Sequence, residues 1–453
     1  MTTRAEESLI QSVTRVARPF RVEQPDFESV LGVIGNARVV LIGEATHGTH
    51  EFYRWRANLT RRLIVDHGFA GVAAEADWPD AYRVNRYVRA LDTEVDARSA
   101  LGGFVRFPAW MWRNTDVLEF IDWLRAHNDD VRAERRVGFY GLDLYSLHAS
   151  IAAVLDYLER VDPAGGQRVR ERYACFDHFG ADPERYAYRT SLGLDPDCES
   201  EVLATLVDLQ ARRADMLARD RRAGLTAQEG DDEHYQAEQN ARVVQSAEHY
   251  YRAMFSGRVS TWNLRDTHMM ETLERLRVHL DRRWGAARVV VWAHNSHVGD
   301  ASATQLARAG ELNVGQLARE RFGDEVRLIG QTTYEGTVTA AADWGAPAAM
   351  KRVRPALPGS YEDLFHRTEL GSFTLASSDV ERQGGLFDKQ LLERAIGVVY
   401  RPDTERTSHY FHADIARQFD AVIHIDETHA LEPFERKASR PTDEEPETYP
   451  TGL

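Results

Sequence analysis

The chain has 453 residues, 43% of them hydrophobic, enough for two or three domains with a sizeable core. Its 71 acidic against 56 basic residues leave a formal charge of -15, which argues against nucleic acid or an anionic membrane as the main partner. Cys175 and Cys198 form neither a metal-ligand spacing nor a disulfide framework, residues 1–20 lack an apolar leader core, and no run of 18 uncharged apolar residues occurs, so a soluble cytoplasmic protein is expected.

Residues 7–16 and 27–34 carry apolar side chains at helical spacing and are separated by Pro19 and Pro25. The apolar run VVLI at 39–42 predicts a strand buried on both faces of a parallel sheet. Glu44 and His47 follow it, flanked by Gly43 and Gly48. Phe52, Trp55, Leu59 and Leu63 then mark a helix that Thr49 can cap and Gly68 can end. Residues 69–74 and 136–142 read as two more buried strands, ending in Glu75 with Asp77 and in Asp143 respectively. Between them, FVRFPAWMW at 104–112 reads as an aromatic loop, with Asp116 and Glu119 capping the helix that follows.

From 146 to 284 the pattern is helical and charge-rich, interrupted around Pro163, at 193–197 and at 226–232, and it contains no convincing strand. Within it, WNLRDTHMMETLERL crowds Asn263, Arg265, Asp266 and His268 at a helix start, while Met269, Leu273, Leu276 and Leu280 form a buried stripe. Strand character returns with VVVW at 289–292, which leads into AHNSH with His294 and His297. Further strands are expected at 326–330, 337–341, 372–375, 396–400 and 421–425. The predicted architecture is α/β: a mostly parallel or mixed central sheet flanked by helices, with a helical insertion over the cleft. Its parts are residues 1–145 and 285–433 as two halves of the core, 146–284 as the insertion, and 434–453 as a flexible, Pro-containing tail.

Motifs for a serine elbow, a dinucleotide and a nucleoside triphosphate are absent, which leaves a His and carboxylate site at strand ends. A neutral His47 can take a proton from water if Glu44 or Glu75 fixes its tautomer. An oxyanion could be met by protonated His294, by His297 or by Arg56, two helical turns from Thr49. Phe104, Phe107, Trp110 and Trp112 are the candidate substrate wall, with Arg265, His268 and His297 as further substrate contacts. The pairs His47 with His50 and His294 with His297 also permit a divalent metal, and with it a phosphoester hydrolase; a non-catalytic binder of small molecules is a third possibility.

Several long motifs narrow these alternatives. GEATHGTHEFYRWRANLTRRLI, AAEADWPDAYRVNRYV, YGLDLYS, QNARVVQSAEHYYRAMF, WNLRDTHMMETLERL, VVVWAHNSHVGD and SHYFHADIARQFDAVIH together resemble the erythromycin esterase family, over nearly the whole chain to about residue 433. The resemblance implies an α/β core around a deep cleft and hydrolysis of an ester or macrocyclic lactone by His-activated water, with no obligatory cofactor or metal. By motif it places the base on His47, its carboxylate partners on Glu44 and Glu75, the family's first-helix arginine on Arg56, and the second histidine on His294. Macrolide-opening members tend to carry a bulky aromatic after the base, where this chain has Gly48, so the resemblance implies an ester or lactone substrate without naming a macrolide.

Overall fold

The run Val39–Ile42 lies at the middle of the molecule with every residue buried, as a strand covered on both faces requires. The computed structural model describes residues 4–92, 95–179, 183–191, 197–256, 258–382 and 390–435. Its strands are β1 (Arg18–Phe20), β2 (Val39–Ile42), β3 (Gly71–Asp77), β4 (Gly138–Asp143), β5 (Val289–Trp292), β6 (Val326–Ala340), β7 (Ala349–Val353), β8 (Ser372–Ala376), β9 (Leu391–Arg394), β10 (Tyr410–Ala413) and β11 (Ala421–Thr428). Nine form one mixed sheet in the order β1-β8-β11-β6-β2-β5-β3-β4, with β7 paired to β6. The six strands from β11 to β4 are parallel, whereas β1, β7 and β8 pair antiparallel at its margins. β9 and β10 make a separate hairpin.

Apolar side chains pack on both faces of this sheet. One layer joins Val40, Ile42, Val72, Ala74, Val290 and Trp292 to the His50–His67 and Thr115–Asp129 helices; the other joins Val39, Leu41, Ala73, Val289 and Val291 to the Arg258–Trp284 helix. The alternation along each strand is what a two-sided sheet demands. Between Leu147 and Trp284 every described element is helical, and Val154, Leu158, Val202, Leu206, Val244 and Tyr250 build a third apolar cluster there. No described helix is long and apolar enough to cross a membrane.

Several expectations need correction. The runs at 326–330 and 337–341 are one continuous strand, β6, because β11 on one side and β7 on the other pair with successive halves of it. Residues 396–400 form no strand and make only isolated bridges, from Ile396 to Thr46 and from Val399 to Ala341; the strand lies earlier, at β9. The interruption expected at 226–232 lies earlier, at 223–226, and the polar residues after it already belong to the Ala227–Ala253 helix, where Thr226 and Glu229 bond reciprocally as a capping box. Asn114, not Asp116 or Glu119, caps the helix after the aromatic loop, its side chain accepting from Val117 N at 2.9 Å. Thr49 occupies the expected cap position but its hydroxyl bonds Thr46 instead. Gly68 ends that helix as expected, at φ +66°.

The two cysteines, read from sequence as unpaired, are joined as a disulfide between the Ala174–Phe179 turn and the start of the Glu199–Ala211 helix. Of the expected tail, Phe434 packs under the Arg98 guanidinium at 4.0 Å and donates its N–H to Arg113 O at 2.9 Å. Residues 436–453, like the expected turn at 193–196, lie outside the described residues.

Candidate active site

Parallel strands present ligand-binding groups at their carboxyl ends. β2 runs into Glu44 and His47, β3 ends with Glu75 and Asp77, β4 ends in Asp143, and β5 runs into His294, so one cleft gathers four strand ends. Its walls are residues 104–112, Trp262 and Arg265 of the Arg258–Trp284 helix, and Trp344 with Gly397 and Val398.

The His47 turn is shaped by close packing. A Cβ on Gly43 would lie 2.2 Å from Asn295 Oδ1, and one on Gly48 would lie 1.8 Å from Thr339 O of β6. Gly48 therefore faces strand backbone, and its carbonyl accepts the N–H groups of Thr339 and Leu431, both at 3.0 Å. The segment after β11 straps the turn in place.

Within that turn, His47 Nδ1 lies 2.9 Å from Glu44 Oε1, and Arg56 Nη1 donates to Glu44 Oε2 at 2.5 Å. A carboxylate accepts only, so Nδ1 carries the proton and Nε2 keeps a lone pair. Arg56 is buried and enclosed by rings, its guanidinium 4.0 Å from the Tyr53 centroid, 4.8 Å from Trp292 and 5.9 Å from Trp112. Arg56 thus holds Glu44 from behind.

His294 stacks obliquely beside His47, with ring centroids 4.7 Å apart. Burial, then the neighbouring His47, pushes His294 down to about 3, so it is neutral at physiological pH and the expected protonated His294 is not formed. Ser296 N donates to its Nδ1 at 3.3 Å, and Ser296 Oγ is 2.8 Å from the same atom. Nδ1 is an acceptor and Nε2 bears the proton.

Glu75 is saturated rather than free. Its Oε2 accepts the backbone N–H of His294 at 2.9 Å, while Oε1 meets Arg265 Nη2 at 2.8 Å and His297 Nε2 at 3.3 Å. Burial alone would raise its pKa, but the His297 and Arg265 charges outweigh that and hold it well below the usual range, so it stays ionised. His297 Nδ1 lies 2.9 Å from Asp266 Oδ1, and its ring stacks on Trp262 at 4.6 Å. Burial would lower His297, yet Asp266 and Glu75 together bring it up to about 9. Arg265 is clamped on Asp143 through Nε at 3.0 Å and Nη2 at 2.6 Å. Arg106 grips Asp77 through Nε and Nη2, both at 3.0 Å, and Arg106 and Arg265 each sit 4.9 Å from the Tyr145 ring.

The structure thus brings together His47, Glu44, Glu75, His294 and His297, with Arg56 behind them and Arg265, Phe104, Phe107 and Trp112 on the walls. It leaves out two expected contacts. Trp110 is buried in the apolar core behind the wall, and His268 is buried beside Thr272, where desolvation brings it down to about 4. The metal pairs also separate: His50 turns to Asp116 at 2.9 Å and His297 is taken by Asp266 and Glu75. Among the described residues, no three His, Cys, Asp or Glu side chains are placed to hold an ion. Arg106, Tyr145, Trp262 and Trp344 line the cleft without having been singled out. Arg106 sits inside the aromatic loop motif and Trp262 opens a motif already noted, whereas nothing local to Trp344 distinguishes it.

Fold and site together define an α/β protein with a cleft that gathers three histidines, two of them bonded to carboxylates and the third to Ser296. The chain belongs to the erythromycin esterase family, whose sequence model matches residues 64–428, and at that level it is an esterase-type hydrolase. Glu75, His294 and His297 fall inside the matched span; Glu44, His47 and Arg56 precede it. The chain is 23% identical to an erythromycin esterase type II of Escherichia coli over 341 residues, 71% of this chain and 76% of that protein. Its fold is similar to a succinoglycan biosynthesis protein (TM-score 0.74, 19% identity, 95% of this chain and all of the other). It is also similar to a Bacillus cereus protein (0.74, 17%, 95% and 99%) and to a mutant of the erythromycin esterase EreC in its open conformation (0.61, 16%, 91% and 98%).

Proposed function

We propose that the chain hydrolyses a carboxylic ester or lactone of a small molecule by attack of a water that His47 deprotonates. The observation that carries this reading is the Arg56–Glu44–His47 relay on the cleft floor, which leaves Nε2 of a tautomerically fixed imidazole as proton acceptor. Water oxygen attacks the acyl carbon while its proton passes to His47 Nε2, and Glu44 stabilises the imidazolium formed. The negative charge that develops on the carbonyl oxygen is met by Nε2–H of neutral His294, a weaker acid than an imidazolium and so a donor that keeps its proton. Collapse breaks the acyl C–O bond; the imidazolium of His47 returns its proton to the departing alkoxide, leaving an acid and an alcohol. Glu75 acts through its neighbours: it anchors the His294 peptide and balances Arg265 and His297.

The test is a panel of macrolides, simple esters and lactones, read by mass spectrometry for addition of one water. Turnover that survives EDTA and vanishes in His47→Ala is the expected result. Turnover abolished by EDTA and restored by zinc overturns the mechanism in favour of a metal-dependent hydrolase.

A further inference from the structure

Two walls of the cleft come from distant parts of the chain. One is the 104–112 segment, rooted in the core by Phe104, Trp110 and Trp112 and tied to the floor by Arg106 on Asp77. Phe107 is half-buried there, as are Arg106, Pro108 and Ala109. The other is the connection from β6 to β7, where Trp344 N donates to Asp343 Oδ1 at 3.0 Å and Arg401 grips Asp343 at 2.7 Å. Ala341 N donates to Val398 O at 2.9 Å, which joins this connection to the Gly397–Val398 wall. Phe107 and Trp344 meet edge to face across the cleft, with centroids 5.0 Å apart, and both line it.

The free space in the cleft is small. Its free volume is about 80 Å³; at roughly 10–15 Å³ for each water centre that is room for on the order of five waters, against about 300–1,000 Å³ for pockets that take drug-sized ligands. An acyl group of a few carbons fits beneath the two rings. A long acyl chain or a macrocycle requires them to part. An edge-to-face pair is a weak contact beyond its buried area, so the two rings are separable.

We infer that Phe107 and Trp344 form an aromatic clasp that sets the size of ester admitted to His47, making them specificity-determining residues. The inference rests on the proposed ester hydrolysis for its kinetic readout, but it concerns entry and not the chemical step. Neither ring bonds to His47, Glu44, Glu75 or His294, and both are partly exposed, so truncating them leaves the floor intact.

The decisive experiment compares p-nitrophenyl acetate with p-nitrophenyl decanoate in the full chain and in Trp344→Ala, Phe107→Ala and the double variant. The decanoate-to-acetate ratio of kcat/KM is expected to rise about tenfold in either single variant, in the range a hydrophobic pocket discriminates, with little further gain in the double because the two rings act as one contact. A ratio unchanged within about twofold while turnover still depends on His47 overturns the clasp and spares the mechanism. Turnover that persists in His47→Ala overturns the mechanism. A binding arm reads the clasp without chemistry: thermal shifts with both esters in His47→Ala and in His47→Ala/Trp344→Ala. Decanoate stabilising the second protein more than the first supports the clasp, and equal shifts overturn it.

Discussion

On the His47 side of the cleft, one carboxylate, Glu44, is shared between an imidazole and a buried arginine; on the other side, His297 faces two carboxylates, Asp266 and Glu75, the second of them shared with Arg265. His294, which caps the short Asn295–Val298 helix that carries His297, has no carboxylate bonded to its ring and is brought down to about 3, while His297 is brought up to about 9. His294 and His297 are thus prepared differently by what each is bonded to, since both are buried. Burial pushes every imidazole toward neutrality; only a surplus of facing carboxylate reverses it. The proposed mechanism uses this separation, with His47 as proton acceptor and neutral His294 as hydrogen-bond donor, while the charges of His297 and Arg265 keep Glu75 ionised.

The sharpest way to break this contrast is to remove the base. His47→Ala should lower kcat/KM by about 10²–10⁴, the ordinary worth of a positioned general base, whereas activity retained within tenfold would move the base elsewhere. Arg56→Ala should cost about 3–5 kcal/mol in urea unfolding, because it strands the Glu44 carboxylate in a buried site. A loss under 1 kcal/mol would mean that Glu44 is satisfied without it.

His297 makes a prediction about pH. Its ordinary value near 6.5 is raised to about 9 in the folded protein, so its contribution to stability is complete below about pH 6.5 and is lost as pH rises through about 9. The Tm difference between wild type and His297→Gln should therefore be largest at pH 6 and shrink by pH 9.5; a constant difference would show that His297 is neutral throughout. The smallest effect is expected at Ser296→Ala. It removes one hydroxyl contact to His294 Nδ1 but keeps the backbone N–H, at a cost of about 1 kcal/mol or roughly fivefold in kcat/KM. A far larger loss would mean that the hydroxyl, not the peptide, sets the tautomer.

Much of this was legible before any coordinates. Buried parallel strands announce themselves as continuous apolar runs, so VVLI and VVVW marked their own ends, and with them Glu44, His47 and His294. Arg56 could be placed by helical rise alone. What failed was non-local. Nothing in residues 326–341 says that two runs are one strand, because its continuity comes from pairing with β11 and β7. Trp110 and Trp112 look alike in FVRFPAWMW, yet one turns into the core and the other reaches the cleft. His268 and Asp266 lie two positions apart on a helix, and the helix phase puts only Asp266 on His297.

By itself, then, the sequence determined the local chemistry: which strands are buried, where they end, and which titratable groups stand at those ends. The tertiary structure alone decided the charge states of Glu75, His294 and His297 and the size of the space above them. Protonation follows from how many carboxylates converge on a ring, and the cleft's width from a contact between Phe107 and Trp344, 237 positions apart. Neither the convergence nor the contact is encoded in any short window of the chain.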